Sequence, residues 1–388
     1  LAEGDGFTLG ADATQPASNY SPGVPLLAGG LYALSGGPHE RLARMVLGLL
    51  GSLAILFAYL IGRRLAGPAA GLVGAAAVAI YPALVEYQGM LMGEPLAATL
   101  LSGAVLTMLW AADSGSGGGR AKWLVPGFLL GALVLVRPEY LGISVLLAVV
   151  VLAWGREEWR SGAVNGAILL AGVALVVAPW TVRNAVMLDR FVPVSTGGGQ
   201  VLFAGSYVPS GGDPERVGEE VLERHPGLGG RLPPDARLEQ ILAALAEQRY
   251  PGMETDEALG RMGRERLWDD VRERPVEYGG FVAAKVWRAW SQGPRNVMEQ
   301  PGWRAFHLAL VVLAWAGLAL LVRRRQPEAL LFVVLLLAVT AIAALLVASP
   351  RRVLVALPLL AALAGVGCAG VRRRDGEPLE VELTAARR

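Results

Sequence analysis

The sequence predicts an all-α, multi-pass membrane protein, on three observations. Its 388 residues are 54% hydrophobic and only 18% charged, with a mean hydropathy of +0.46, and a soluble domain rarely needs so apolar a composition. The apolar residues fall in runs of about 20, the helix length that crosses roughly 30 Å of hydrocarbon. Alternation at period two is absent, which argues against an outer-membrane barrel.

Nine spans are expected, near 43–62, 68–86, 94–112, 123–137, 140–154, 162–181, 304–322, 328–348 and 352–371. Each must be helical, because a segment in hydrocarbon has to satisfy its own backbone hydrogen bonds. Residues 1–42 form part of a first outer loop, in which "PLLAGGLYAL" (25–34) has helical spacing, is too short to span and is expected in the interface. Residues 43–181 and 304–371 hold the spans, 182–303 an outer and mostly helical region, and 372–388 a cytoplasmic tail. Within the outer region "RFVPVST" (190–196) is strand-like, and the "GGG" that follows it is expected to be flexible. "DARLEQILAALAEQRY" (235–250) repeats apolar residues at i, i+3 and i+4. "RERLWDDVRERPVEYGGFVAAKVWRAW" (264–290) reads as helices returning to the bilayer, its Trp268, Trp287 and Trp290 suited to the headgroup level.

The loops "GRRLAG", "GRAKW", "WGREEWR" and "RRRQPE" and the tail "VRRRDG" are all basic. With alternating spans they share one side, which the positive-inside rule makes cytoplasmic, in a cell membrane whose other face is outside. Nine spans ending inside put residue 1 outside, so a further helix is expected upstream. No basic cluster interleaves with aromatics as nucleic-acid binding requires. His39, His225 and His307 lack metal-ligand spacing, no cofactor is called for, and a divalent cation is admitted only through carboxylates. "TGGGQ" (196–200) lacks the Lys-Ser/Thr of a phosphate loop. Cys368 stands alone and permits no intramolecular disulfide.

The ionisable residues of the spans gather instead at the outer boundary: Arg44, Glu94, Arg137 with Glu139, Arg183, and the adjacent Arg351 and Arg352. Charge at a membrane edge is costly unless paired, hydrated or bound to a ligand. Arginines clamp phosphate, and a carboxylate among them can take a proton. The set suits a substrate with an apolar tail in the bilayer and a phosphate at its surface, such as a polyprenyl-phosphate sugar. Each member also has a duller role: lipid-headgroup contact or snorkelling for Arg351 and Arg352, helix capping for Glu94, a structural bridge for Arg137, helix termination for Arg183, and anchoring for Arg44.

Several segments resemble membrane glycosyltransferases of the GT-C class, in the branch of bacterial protein O-mannosyltransferases and the aminoarabinose transferase. They are "NYSPGVPLLAGGLYAL" (19–34), "ERLARMVLGLLGSLAILFAYLIGRRLAG" (40–67), "GEPLAATLL" (93–101), "GALVLVRPEYLGI" (131–143), "APWTVRNAVMLDRFVPVSTGGGQVLFAGS" (178–206) and "SPRRVLVALPLLAALAG" (349–365). The resemblance implies inverting transfer of a sugar from a polyprenyl-phosphate donor to a lipid, glycan or protein acceptor on the outer face. It implies Glu94 as the catalytic acid of the second outer loop and Arg351 or Arg352 beside the lipid phosphate. Arg137, Arg183, Arg44 and Tyr20 complete the expected binding set. The first-loop acid of such enzymes is expected upstream of "LAEGDGF", and Ser21 stands where the aminoarabinose branch often has lysine. Two other readings remain open, a transporter or flippase for lipid-linked sugars and a non-catalytic membrane scaffold. The first lacks the expected repeats and midplane charges.

Overall fold

The structure, a computed structural model, describes residues 7–9, 15–16, 18–113, 119–155, 159–211, 213, 216–230, 232–233, 235–294, 296–347 and 349–370. The expected cytoplasmic tail lies outside them. Two short antiparallel strands, β1 (Thr8–Leu9) and β2 (Gln15–Pro16), precede a chain that is otherwise helical. In order follow α1 (Gly23–Ser35), α2 (Glu40–Ala66), α3 (Pro68–Ile80), α4 (Pro82–Gln88), α5 (Gly93–Asp113), α6 (Leu124–Val136), α7 (Tyr140–Trp154) and α8 (Trp159–Leu188). The region between the two groups of apolar helices holds α9 (Gly198–Ser206), α10 (Arg216–Arg224), α11 (Pro226–Gly229), α12 (Leu238–Arg249), α13 (Thr255–Glu273) and α14 (Pro275–Ser291). The chain closes with α15 (Pro301–Arg323), α16 (Ala329–Leu345) and α17 (Pro350–Ala369).

Among the described residues five helices (α2, α5, α8, α15 and α17) are long and apolar enough to cross a membrane, or six if α3 and α4 count as one bent span. The nine uniform spans of the sequence reading are therefore not reproduced. Pro82 accounts for one difference: without an N–H it cannot continue α3, and it pushes Tyr81 out of the helical region (φ −70°, ψ 110°). The pair bends by 58° there. The break is held by side chains: the Tyr81 hydroxyl lies 2.9 Å from His307 Nδ1 on α15, and His307 Nε2 lies 3.0 Å from the Trp290 carbonyl. Since Nε2 must donate to that carbonyl, Nδ1 accepts from Tyr81. Helices α6, α7 and α16, of 13, 15 and 17 residues, fall short of a full span.

α17 is the axis of the bundle. Every residue from Val353 to Val366 is buried, and the helix packs against α2, α3, α5 and α15. Hydrocarbon provides no hydrophobic drive between helices, so they associate through close backbone approach at small residues. A Cβ on Gly365 would sit 2.1 Å from the Ala70 carbonyl of α3, and one on Gly317 of α15 2.0 Å from the Leu363 carbonyl. The outward face of α2 shows Met45, Leu49, Leu53 and Leu56, and that of α8 shows Leu175, Val182 and Val186, all exposed as on a lipid-facing surface. With these apolar helices the protein is a multi-pass membrane protein.

Helices α9 to α13 enclose a second, smaller core of Phe203, Tyr207, Val217, Val221, Leu228, Leu242, Leu245 and Leu259. The helical readings of 235–250 and 264–290 are seen here as α12 and as the later part of α13 with α14. Two details differ from the sequence reading. Residues 190–196 form no strand, because side chains of α8 take their carbonyls: Trp180 Nε1 and Asn184 Nδ2 donate to Val194 (2.8 and 2.9 Å), Asn184 also to Val192 (3.0 Å), and Thr181 Oγ1 to Pro193 (2.7 Å). The glycines at 197–199 begin α9, and Gly199 lies so close to α13 that a Cβ would meet the Asp256 carbonyl at 1.8 Å. Asp256 Oδ1 accepts from the Gln200 N–H (3.1 Å), so the protein's own carboxylate fills the anion site at this helix start. Of the three tryptophans expected at headgroup level, Trp268 and Trp287 are exposed, while Trp290 turns inward and donates to Thr340 Oγ1 (3.1 Å).

Candidate active site

Glu94 begins α5 and is 1% exposed. Two guanidiniums from distant parts of the chain converge on its Oε1. Arg137, which ends α6, brings Nη2 to 2.8 Å, and Arg351, in the first turn of α17, brings Nε to 2.8 Å and Nη2 to 2.5 Å. α6 stops at Arg137 because Pro138 follows and holds it in an extended conformation (φ −139°, ψ 92°). α17 starts at Pro350, a favoured first helical residue. Arg137 also lies 3.6 Å from Glu139. Arg351 stacks over the Tyr87 ring (5.4 Å) and reaches Met92 Sδ (3.6 Å).

Arg352 turns to the other side of α17, where with Glu139, Tyr140, Val339, Ile342 and Val355 it lines a small cleft of about 10 Å³. Its Nη1 is buried and has no hydrogen-bond partner among the described residues. That volume holds about one water. Three guanidiniums and two carboxylates leave the cluster with one net positive charge, at the end of the bundle where α5, α7 and α17 begin and α6 ends.

The other expected site residues are placed apart from this cluster. Arg44, on α2, pairs with Glu40 one turn before it (2.5 Å) and reaches the Gly89 carbonyl (3.4 Å), which joins it to the α4–α5 connection. Arg183 donates to the Phe7 carbonyl (2.8 Å) and to Asn184 Oδ1 (3.0 Å) and stacks on Trp180 (5.0 Å), so it fastens the first described residues to α8. Tyr20 is half exposed; its segment is tied to the 190–196 stretch by the Thr196 N–H to Ser18 carbonyl bond (2.6 Å). Among the described residues no three His, Cys, Asp or Glu side chains lie together so as to hold a metal.

Sequence reasoning missed two participants. Tyr87 carries no local motif and reaches Arg351 only because the α3–α4 break turns α4 toward α17. Lys285 lies on the face of α14 turned to the bundle, is 1% exposed, and donates to the Gly205 (2.6 Å) and Ala344 (2.7 Å) carbonyls near the ends of α9 and α16. Burial, and then the charge of Arg352, push its ammonium down to about 7. Its rarity was a usable signal, since Lys122 and Lys285 are the only lysines in the sequence.

Residues 17–182 match the family of dolichyl-phosphate-mannose-protein mannosyltransferases. The sequence matches none of the curated proteins compared with it. Among solved structures, the fold is similar to the archaeal oligosaccharyltransferase AglB of Archaeoglobus fulgidus in complex with an inhibitory peptide and a dolichol-phosphate (TM-score 0.51, 16% identity, 90% of this chain and 42% of that one). The apo form of the A. fulgidus oligosaccharyltransferase gives TM-score 0.52 at 17% identity, again over 90% of this chain and 42% of that one. The chain thus spans about two fifths of the length of these relatives. ArnT of Cupriavidus metallidurans bound to undecaprenyl phosphate aligns over 95% of this chain and 71% of its own at 16% identity, with a TM-score of 0.38. With residues 17–182 matched by that family and its helices arranged as in the oligosaccharyltransferase, the chain has a GT-C-type fold.

Proposed function

We propose that the protein transfers a sugar from a polyprenyl-phosphate donor to an acceptor on the outer face of a cell membrane, with inversion at the sugar. The observation that carries this reading is the meeting of Arg137 and Arg351 on buried Glu94, with Arg352 adjacent, at one end of a GT-C bundle. In the reaction an acceptor oxygen or nitrogen attacks the anomeric carbon, the bond from that carbon to the phosphate oxygen breaks, and the lipid phosphate leaves with one more negative charge. Arg351 stabilises that added charge by contact and Arg352, from its cleft on the other side of α17, only through its field, so both favour the transition state over the donor.

The geometry alters the part expected of Glu94. Its Oε1 already accepts from two arginines, so it holds and orients them for the phosphate. The acceptor's proton then passes to water at the membrane surface. The similar fold of the A. fulgidus oligosaccharyltransferase, in complex with a dolichol-phosphate, supports the choice of donor class.

The test is release of polyprenyl phosphate from a panel of polyprenyl-phosphate sugars by the full chain in lipid. Arg351→Ala/Arg352→Ala should abolish release with membrane insertion retained, at a melting midpoint lowered because buried Glu94 loses a partner. Full turnover in that variant would remove both arginines from the site.

A further inference from the structure

A cavity of about 740 Å³ lies at the opposite end of the bundle from Glu94. It opens where α2 and α5 end, α8 begins and α15 turns into α16, and α5 alone puts 21 residues, about 30 Å, between the two ends. One wall is fixed. Arg64 forks onto Asp113 (2.6 and 3.0 Å) and reaches Glu328 (3.4 Å), and Trp154 Nε1 donates to the Pro327 carbonyl (2.9 Å). The lining also includes Arg120, Lys122 and Arg325. Among the described residues Arg120 and Arg325 make no ion pair, so the four cations around the cavity exceed its two carboxylates by two charges.

A basic loop at a membrane surface explains the charge alone. It does not explain a hollow among helix ends with unsatisfied polar atoms in its walls. Trp123 is 3% exposed and among the described residues its indole N–H has no acceptor; the side-chain oxygen of Asn165, also in the lining, has no donor among them. Buried polar atoms ordinarily find partners, and those that lack one call for an unseen group. Arg325 is also held at φ +52°, in the left-handed region a non-glycine residue rarely adopts, where α15 ends and the chain turns to α16.

We propose that this cavity binds a phosphate ester that carries both hydrogen-bond donors and an apolar part. The phosphate lies between Arg120, Lys122 and Arg325, a hydroxylated headgroup meets Trp123 and Asn165, and the apolar part follows Leu109, Val151 and Leu330 toward the bilayer. An anionic phospholipid and a soluble phosphate share this chemistry. The site is independent of the transfer reaction proposed above and would stand if that reading failed.

The test uses the full chain in phosphatidylcholine nanodiscs, titrated separately with dihexanoyl phosphatidylglycerol and with inorganic phosphate, and followed by native mass spectrometry and tryptophan fluorescence. Saturable binding of the phosphatidylglycerol, weakened about tenfold in Arg120→Gln/Arg325→Gln and also in Asn165→Leu at unchanged melting midpoint, supports a lipid ligand. Equal binding of inorganic phosphate with the same losses supports the site and assigns it to soluble phosphates. No saturable binding of either probe, or undiminished binding by the double arginine variant, overturns the proposal.

Discussion

At Glu94 one carboxylate oxygen serves two arginines that are 214 residues apart in the chain (Arg137 and Arg351), and the amide of Glu94→Gln can serve neither as an anion. Turnover by Glu94→Gln is expected to fall at least about tenfold with little change in donor KM, since the arginines remain but lose their fixed orientation. Equal turnover in steady-state assays would reduce Glu94 to a helix-end contact. Lys285 gives a pH prediction. Its folded-state pKa of about 7 lies below the ordinary lysine value of 10.5, so between those values the unfolded chain binds more protons than the folded one. Stability therefore rises with pH from about 7 to 10.5 and is flat below that window. Thermal melts across this range should show the rise, and Lys285→Met should flatten it. At this scale Glu94, Arg137 and Arg351 were legible because charge stands out in apolar sequence. Arg183 was equally conspicuous, but its rings and carbonyl partners turn it to a structural use that no linear pattern distinguishes.

Among the elements, the apolar runs were legible in place but not in shape. Pro82 is visible in the sequence, yet its effect depends on Tyr81 and His307 meeting across 226 residues to stabilise the break. The extended segment at 190–196 reads as a strand because it is rich in Phe, Val and Thr, but its carbonyls find their partners in α8 side chains. Helix contacts at glycine were also hidden, since composition does not say which glycine faces which backbone. Gly317→Leu should lower the melting midpoint severely, because even a Cβ there would lie 2.0 Å from the Leu363 carbonyl and the α15–α17 contact would have to open. Leu in place of Gly302, near which no atom would meet a Cβ within 4 Å, is the control and should melt close to the parent.

For the molecule as a whole, the expected orientation is open to a direct test. In a Cys368→Ser background, Gln248→Cys on α12 should react with an impermeant thiol reagent added to intact cells, and Gln326→Cys beside α16 only after permeabilisation. The reverse pattern would place the Glu94 cluster on the cytoplasmic side and remove the outer-face reaction. The bundle, and the small helical region set between its two halves, were legible from hydropathy; the central position of α17 was not, since its apolar content resembles that of its neighbours. That position has a mechanical consequence. The two arginines begin a helix whose next fourteen residues, Val353 to Val366, are all buried. Shifting this anchor would disturb α2, α3, α5 and α15 together. The guanidinium heads can swivel about their side-chain bonds, but their mooring is held from every side by these helices.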